Sequence, residues 1–269
     1  IKEIRKKNPK LEIETFVHGA MCMAYSGRCF LSKYYTNRSA NQGDCIQPCR
    51  WEYFIKSKGK DEILELVEEE HGSYILNSRD LCLIKKLPEL ISVGINSFKI
   101  EGRAKSVYYL ACVVGAYRRA IDCLTPQPPL LIRRGDGAKR RGRGRKELEF
   151  LYKELNEKLY HRGFTEGFMF DKGRQAQNLE NSHKVPDWEF CGQVVNKKNK
   201  NKKKNNRYDV YIKVHNSLSV GDRVEIVAPG YDIIKMKVKK MLDAETGAEI
   251  KEAHGGQEKM VILESGKFI

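Results

Sequence analysis

The sequence predicts an α/β fold followed by a small all-β domain. Strand-like apolar runs alternate with helical spacing over residues 11–123, a stretch rich in proline and glycine then interrupts the pattern, and only short alternating runs follow Trp188. Residues 1–9 read as the tail of a helix, and residues 11–17 as an apolar, β-rich strand that ends in His18-Gly19. With no initial Met, an opening of this kind predicts a fragment whose earlier part is missing.

A second strand is expected at residues 74–76, leading into Asn77-Ser78-Arg79-Asp80. Residues 87–93 have helical character up to Gly94, and residues 97–100 form a short strand ending in Glu101-Gly102-Arg103. From Lys105 to Cys123, Val107, Leu110, Val114, Tyr117 and Ile121 recur at three- and four-residue steps, the signature of an amphipathic helix. This βα rhythm belongs to a parallel sheet or barrel. Residues 126–146 hold three prolines and four glycines and are expected to be a linker or surface loop. Helical spacing returns over residues 147–160, and residues 162–173 read as an aromatic, Gly-rich loop. The runs at 190–195, 208–214, 223–227, 233–239 and 259–263 describe a small antiparallel β-barrel or sandwich. The boundary falls near residue 185, giving domains 1–184 and 185–269.

Fifty basic residues face 35 acidic ones, a net charge of +15 that is unevenly spread. Residues 133–146 and 197–207 together hold fifteen basic residues against one acid and so supply +14 of it. Such runs, one in the 126–146 linker and one in the basic loop 196–207, are more often solvated loops than folded faces, yet they can hold phosphates through counterion release. They permit an RNA partner. No apolar run approaches the roughly 18–20 residues of a membrane span, and no leader suggests export, so no membrane partner and a cytoplasmic location are expected. Reducing conditions there disfavour disulfides among the eight cysteines and leave metal binding, catalysis or burial.

Cys22 and Cys29 lie in one loop after the first strand, and Cys45 and Cys49 in a second. Four thiols in so short a span suit soft metals and iron-sulfur clusters. The spacing matches neither the ferredoxin runs nor zinc ribbons, so buried or redox-inert thiols remain the alternative. Cys112 and Cys123 are eleven positions apart, within about 20° on one helix face, and are expected in the core. Cys191 is expected to be structural.

Several motifs resemble the collagenase-like U-thirty-two peptidase family: Glu14-Thr15-Phe16-Val17-His18-Gly19-Ala20-Met21-Cys22, Ser26-Gly27-Arg28-Cys29-Phe30-Leu31-Ser32 and Asn41-Gln42-Gly43-Asp44-Cys45. Gln47-Pro48-Cys49-Arg50-Trp51, Asn77-Ser78-Arg79-Asp80-Leu81-Cys82, Phe98-Lys99-Ile100-Glu101-Gly102-Arg103, Tyr117-Arg118-Arg119-Ala120 and Arg162-Gly163-Phe164 extend the likeness. The resemblance implies the C-terminal part of a TIM-like (β/α) barrel followed by a small antiparallel β-barrel. Within the family it is to the tRNA hydroxylation proteins, which implies oxygen-independent formation of 5-hydroxyuridine at the tRNA wobble position, with prephenate as hydroxyl donor. Relatives act on ribosomal RNA or a ubiquinone precursor. A 4Fe-4S cluster is implied, and carried onto this chain its ligands are Cys22, Cys29, Cys45 and Cys82, with Cys49 able to replace Cys82.

Prephenate carries two carboxylates, which guanidinium groups suit. Arg50, Arg79 and Arg103 are the leading donor-binding candidates, with Lys99 and Lys105 beside them; structural ion pairs to Asp80, Glu101 or Glu52 are the alternative. Glu101 and His18 are the candidate proton-transfer groups, though either could serve only to orient its neighbours. Tyr25, Tyr34, Tyr35 and Trp51 could stack on an extruded nucleotide, or belong to the core. A peptidase is the alternative function. The chain has neither a His-Glu-x-x-His helix nor a Gly-x-Ser-x-Gly elbow, but Cys22 is four residues from His18, as a thiol nucleophile and its base could be.

Overall fold

The computed structural model describes residues 1–22, 29–51, 54–56, 63–65, 78–103, 105–125, 140–170, 184–199, 208–256 and 258–265. The predicted strand at 74–76 lies outside them, as do Tyr25 and most of the 126–146 linker. Two compact units are present, Ile1–Asp187 and Trp188–Ile269.

The first unit opens with helix α1 (Lys2–Lys7) and strand β1 (Glu14–Gly19). Arg5 ties the two together, donating to the carbonyls of Pro9 and Leu11 and to the Asn96 side chain. A short helix α2 (Leu31–Thr36), a hairpin of β2 (Phe54–Lys56) and β3 (Ile63–Glu65), then β4 (Asp80–Cys82), α3 (Leu87–Ser92) and β5 (Ser97–Ile100) follow. Helices α4 (Val107–Leu124) and α5 (Arg140–Lys158) and a two-residue strand β6 (Phe164–Thr165) complete the unit. Four of its strands make one sheet in the order β5-β1-β4-β6. β1 is parallel to β5 and β4 to β6, but β1 and β4 run antiparallel, so the sheet is mixed. Among the described residues no barrel closes.

Helix α4 begins where Ser106 accepts a hydrogen bond from the Tyr109 amide, a serine N-cap. Its buried face is Tyr109, Cys112, Val113, Ala116, Tyr117 and Ala120. That face is rotated from the predicted stripe, since Val107 and Val114 are 77% and 52% exposed. The reason is size: alanines at 116 and 120 let the backbone approach its neighbours, while Tyr109 and Tyr117 carry hydroxyl groups inward. Cys112 is in the core as expected, but Cys123 is exposed, one helical turn past the last buried position. Helix α5 starts at Arg140, inside the stretch expected to be a loop. Arg and Lys are good helix formers, and Gly144, Leu148, Leu151, Leu155 and Leu159 give it a continuous buried stripe. An ion pair from Arg119 to Glu147 at 2.6 Å joins it to α4.

In the second unit every paired strand is antiparallel. β7 (Gly192–Asn199), β8 (Tyr208–Val214), β12 (Met241–Asp243), β13 (Glu249–Ile250) and β15 (Met260–Ser265) form a five-stranded sheet ordered β13-β12-β15-β8-β7. β9 (Ser217–Ser219) pairs with β14 (Glu252–His254), and β10 (Arg223–Ala228) with β11 (Asp232–Lys237). Val210, Ile212, Val214, Leu218, Met241, Val261 and Leu263 are buried at its centre, and Cys191 packs against them.

Candidate functional site

The site grows from the C-terminal end of β1, where Val17, His18 and Gly19 are all buried. His18 sits in register with Cys82 on β4, and its carbonyl accepts from the Glu101 amide at 2.9 Å just after β5. Gly19 has φ 121°, and a Cβ there would lie 2.4 Å from the Glu101 carbonyl oxygen. Only glycine permits both the backbone angle and that approach. Immediately beyond, the Ser78 hydroxyl donates to the Met21 carbonyl at 2.6 Å, which anchors the start of the Cys22 loop to the approach to β4. An apolar cleft of about 230 Å³ lined by Phe16, Met21, Leu81 and Phe168 adjoins this turn.

Beneath it lies a buried polar network that residue spacing did not disclose. Asp80 is 0% exposed and accepts from Arg162 Nε at 2.9 Å, from Arg162 Nη2, and from Lys105 Nζ at 3.2 Å. Burial alone would raise its pKa, but the two cations outweigh burial and hold the carboxyl below the usual carboxylate range. The Lys105 ammonium also lies 4.7 Å from the Tyr109 ring centroid. Asp80 therefore pairs with Arg162 and Lys105 rather than with Arg79 or Arg103. The motifs Asn77-Ser78-Arg79-Asp80 and Arg162-Gly163-Phe164 were the available signal, but no sequence spacing links two residues 82 positions apart.

The tautomer of His18 follows from its partners. Tyr117 places its hydroxyl 2.8 Å from the Val17 carbonyl, where it donates, and it accepts from the Leu83 amide at 3.2 Å. With its one proton committed, the hydroxyl faces His18 Nδ1 at 3.3 Å as an acceptor, so Nδ1 carries the hydrogen and Nε2 the lone pair. Burial keeps the ring neutral, with its pKa pushed down to about 3. A histidine held this way is a weak base and suits fixing the strand end. Three buried polar atoms here, His18 Nε2, Tyr109 Oη and Arg162 Nη1, have no hydrogen-bond partner among the described residues.

The candidate cysteines occupy different environments. Cys82 is buried, and desolvation pushes its pKa up to about 12; Cys29 is half-buried, and Cys22 and Cys45 are exposed. Cys45 Sγ accepts from the Gln47 amide at 3.3 Å and the Ser32 hydroxyl at 3.7 Å. Donor chemistry therefore suits a soft metal or cluster. Their arrangement does not: among the described residues no three His, Cys, Asp or Glu side chains gather closely enough to hold a metal ion.

The other predicted residues divide. Arg103 comes to the Cys45 loop, for a Cβ on Gly43 would lie 2.7 Å from its Nη1, and its backbone amide donates to Glu101 Oε1 at 3.0 Å. Arg79 lies against Gly163, with Cδ 3.4 Å from where a Cβ would stand. Lys99 is drawn to the sheet surface by Glu14 at 3.2 Å and sits 5.1 Å from the Phe16 ring centroid. The Arg50 side chain lies outside the described ones.

Two family models cover the chain: peptidase family U32 matches residues 1–179, and the family's C-terminal domain matches residues 186–267. The chain belongs to peptidase family U32. This U32 chain is 34% identical to tRNA hydroxylation protein P of Haemophilus influenzae over 90% of its own length and 57% of the relative's. It is 40% identical to a 23S rRNA 5-hydroxycytidine synthase of Escherichia coli, over 58% of the chain and 22% of that protein. A collagenase of Porphyromonas gingivalis is 43% identical over 43% of the chain and 27% of that protein. The chain thus spans about half the length of the first of these relatives. No solved structure matches it.

Proposed function

We propose that this U32 chain is part of an RNA-hydroxylating enzyme, and that its product is 5-hydroxyuridine at the tRNA wobble position. The likeness to tRNA hydroxylation protein P across 90% of the chain carries the reading. The 23S rRNA 5-hydroxycytidine synthase supports the wider reaction class, hydroxylation of a pyrimidine at C5 in RNA. We further propose a (β/α) barrel as the setting of the first unit, supported by the parallel pairing of β1 with β5 and by helix α4 after β5.

In this reading Cys22, Cys29, Cys45 and Cys82 would hold a four-iron four-sulfur cluster that would supply redox chemistry without oxygen, with prephenate as the hydroxyl source. These thiols are not gathered among the described residues, and the four cysteines are named as ligands on donor chemistry alone. Arg103, whose guanidinium lies against Gly43 beside the Cys45 loop, is the proposed contact for a donor carboxylate. His18 fixes the end of β1 through Tyr117, and Glu101 is held beside it by the Arg103 amide.

The collagenase relative keeps proteolysis as a second reading. A cysteine peptidase needs a thiolate activated by an imidazole. His18 instead gives Nδ1 to Tyr117 and is held neutral, which does not suit that pairing. Nucleoside mass spectrometry of tRNA and ribosomal RNA from cells lacking the gene tests the proposal. Loss of 5-hydroxyuridine from tRNA is expected; unchanged hydroxylated nucleosides together with collagen-peptide cleavage by the purified protein would replace it with the peptidase reading.

A further inference from the structure

Helix α2 displays aromatic rings that nothing in the buried network uses. Phe30, Tyr34, Tyr35 and Trp51 are 69%, 82%, 46% and 42% exposed, respectively. They are not scattered. Tyr34 and Tyr35 are in edge contact with ring centroids 5.2 Å apart, and Tyr35 and Trp51 lie 5.3 Å apart at an interplanar angle of 47°. Phe30 precedes Tyr34 by four positions, so both project from one side of the helix.

The backbone beneath them is fixed. Ser32, on the opposite side of α2, is fully buried and accepts from the Ile46 amide at 3.3 Å while donating to Cys45 Sγ. Asn37 closes the helix in the left-handed conformation at φ 61°, and a 3-10 turn at Pro48–Arg50 presents Trp51. Large rings held out in water by a braced scaffold expose apolar area at a cost that a partner would relieve. The sequence charge of the segment selects the partner, because residues 28–60 hold seven basic residues against two acidic ones, with Lys33 on the helix itself and Arg50 next to Trp51 in the chain. Aromatic faces among cations are the chemistry of single-stranded nucleic acid binding, where bases stack and phosphates meet the basic groups.

We propose that Phe30, Tyr34, Tyr35 and Trp51 form a stacking platform for unpaired nucleotides, presenting single-stranded RNA to the Cys45 loop. This rests on the RNA reading above and gives it a docking surface. Ser32 makes the link physical, since this buried side chain of the platform helix bonds both Cys45 Sγ and the Ile46 amide of the cysteine loop.

The test uses the full chain with Trp188→Phe, so that emission reports Trp51, and a labelled uridine dodecamer as probe. Binding should quench Trp51, and Tyr34→Ala should weaken affinity by roughly 5- to 100-fold, the worth of one base-aromatic stack. Tyr34→Phe should restore it, since the ring face and not the hydroxyl does the stacking. Tyr34 is mostly exposed, so its variants should unfold at the wild-type temperature. Wild-type affinity in Tyr34→Ala, without change in the quench, would overturn the platform while leaving RNA binding in place. Failure of the parent chain to bind the dodecamer or whole tRNA would overturn the RNA reading itself. A concentration-dependent dimer abolished by Tyr34→Ala, with oligonucleotide binding intact, would reassign the surface to contacts between copies of this chain.

Discussion

Tyr109 Oη is buried without a partner among the described residues, and its ring packs under the Lys105 ammonium. Tyr109→Phe keeps the ring and removes the unsatisfied hydroxyl, so urea unfolding should show stability unchanged or raised by about 1–3 kcal/mol. Asp80→Asn should do the reverse. It leaves Arg162 and Lys105 short of their counter-charge in the interior, a loss of about 3–5 kcal/mol. The same network sets an acid limit. Folded His18 resists protonation down to about pH 3, whereas the unfolded chain takes the proton near 6.5, so stability is full above 6.5 and falls as pH drops below it. Burial shifts His161 in the same direction. Each such histidine contributes a slope of up to about 1.4 kcal/mol per pH unit. Thermal melts of wild type and His18→Gln between pH 7 and 4 should show a shallower slope in the variant.

At the scale of elements, the turn after β1 depends on Gly19. Gly19→Ala adds a left-handed backbone penalty to a clash with the Glu101 carbonyl, and should cost at least about 2 kcal/mol in chemical denaturation. Strand β5 occupies its predicted span, and α3 and β8 lie where periodicity placed them, because each is a short run with clear punctuation. Helix α4 was legible as a helix, but its buried face was not. Apolar spacing favoured Val107 and Val114, whereas two inward-facing tyrosine hydroxyls decided the packing. The start of α5 was hidden by glycines at 142 and 144, which read as loop in the sequence, whereas Gly144 is buried in line with the leucine stripe. His18, Cys82, Glu101 and Arg103 were visible as candidates from their motifs. Asp80 with Arg162 was not, since a pair made across the sheet leaves no local periodicity.

Over the whole molecule, the proposed site draws on stretches far apart in sequence: the turn after β1, the loop braced by α2, and the end of β4. β1 and β4 already bring His18 beside Cys82, and Ser32 ties α2 to Cys45. Cys22, Cys29, Cys45 and Cys82 are the proposed ligands of an iron-sulfur cluster. Anaerobic purification with iron and sulfide analysis tests it directly, comparing wild type with the alanine variant of each of these cysteines and with Cys49→Ala. About four irons and four sulfides per chain are expected in wild type and Cys49→Ala, the content of one thiolate-held cluster, with loss in the other four. An iron-free wild type, or full iron retained when Cys22 or Cys82 is removed, would contradict it.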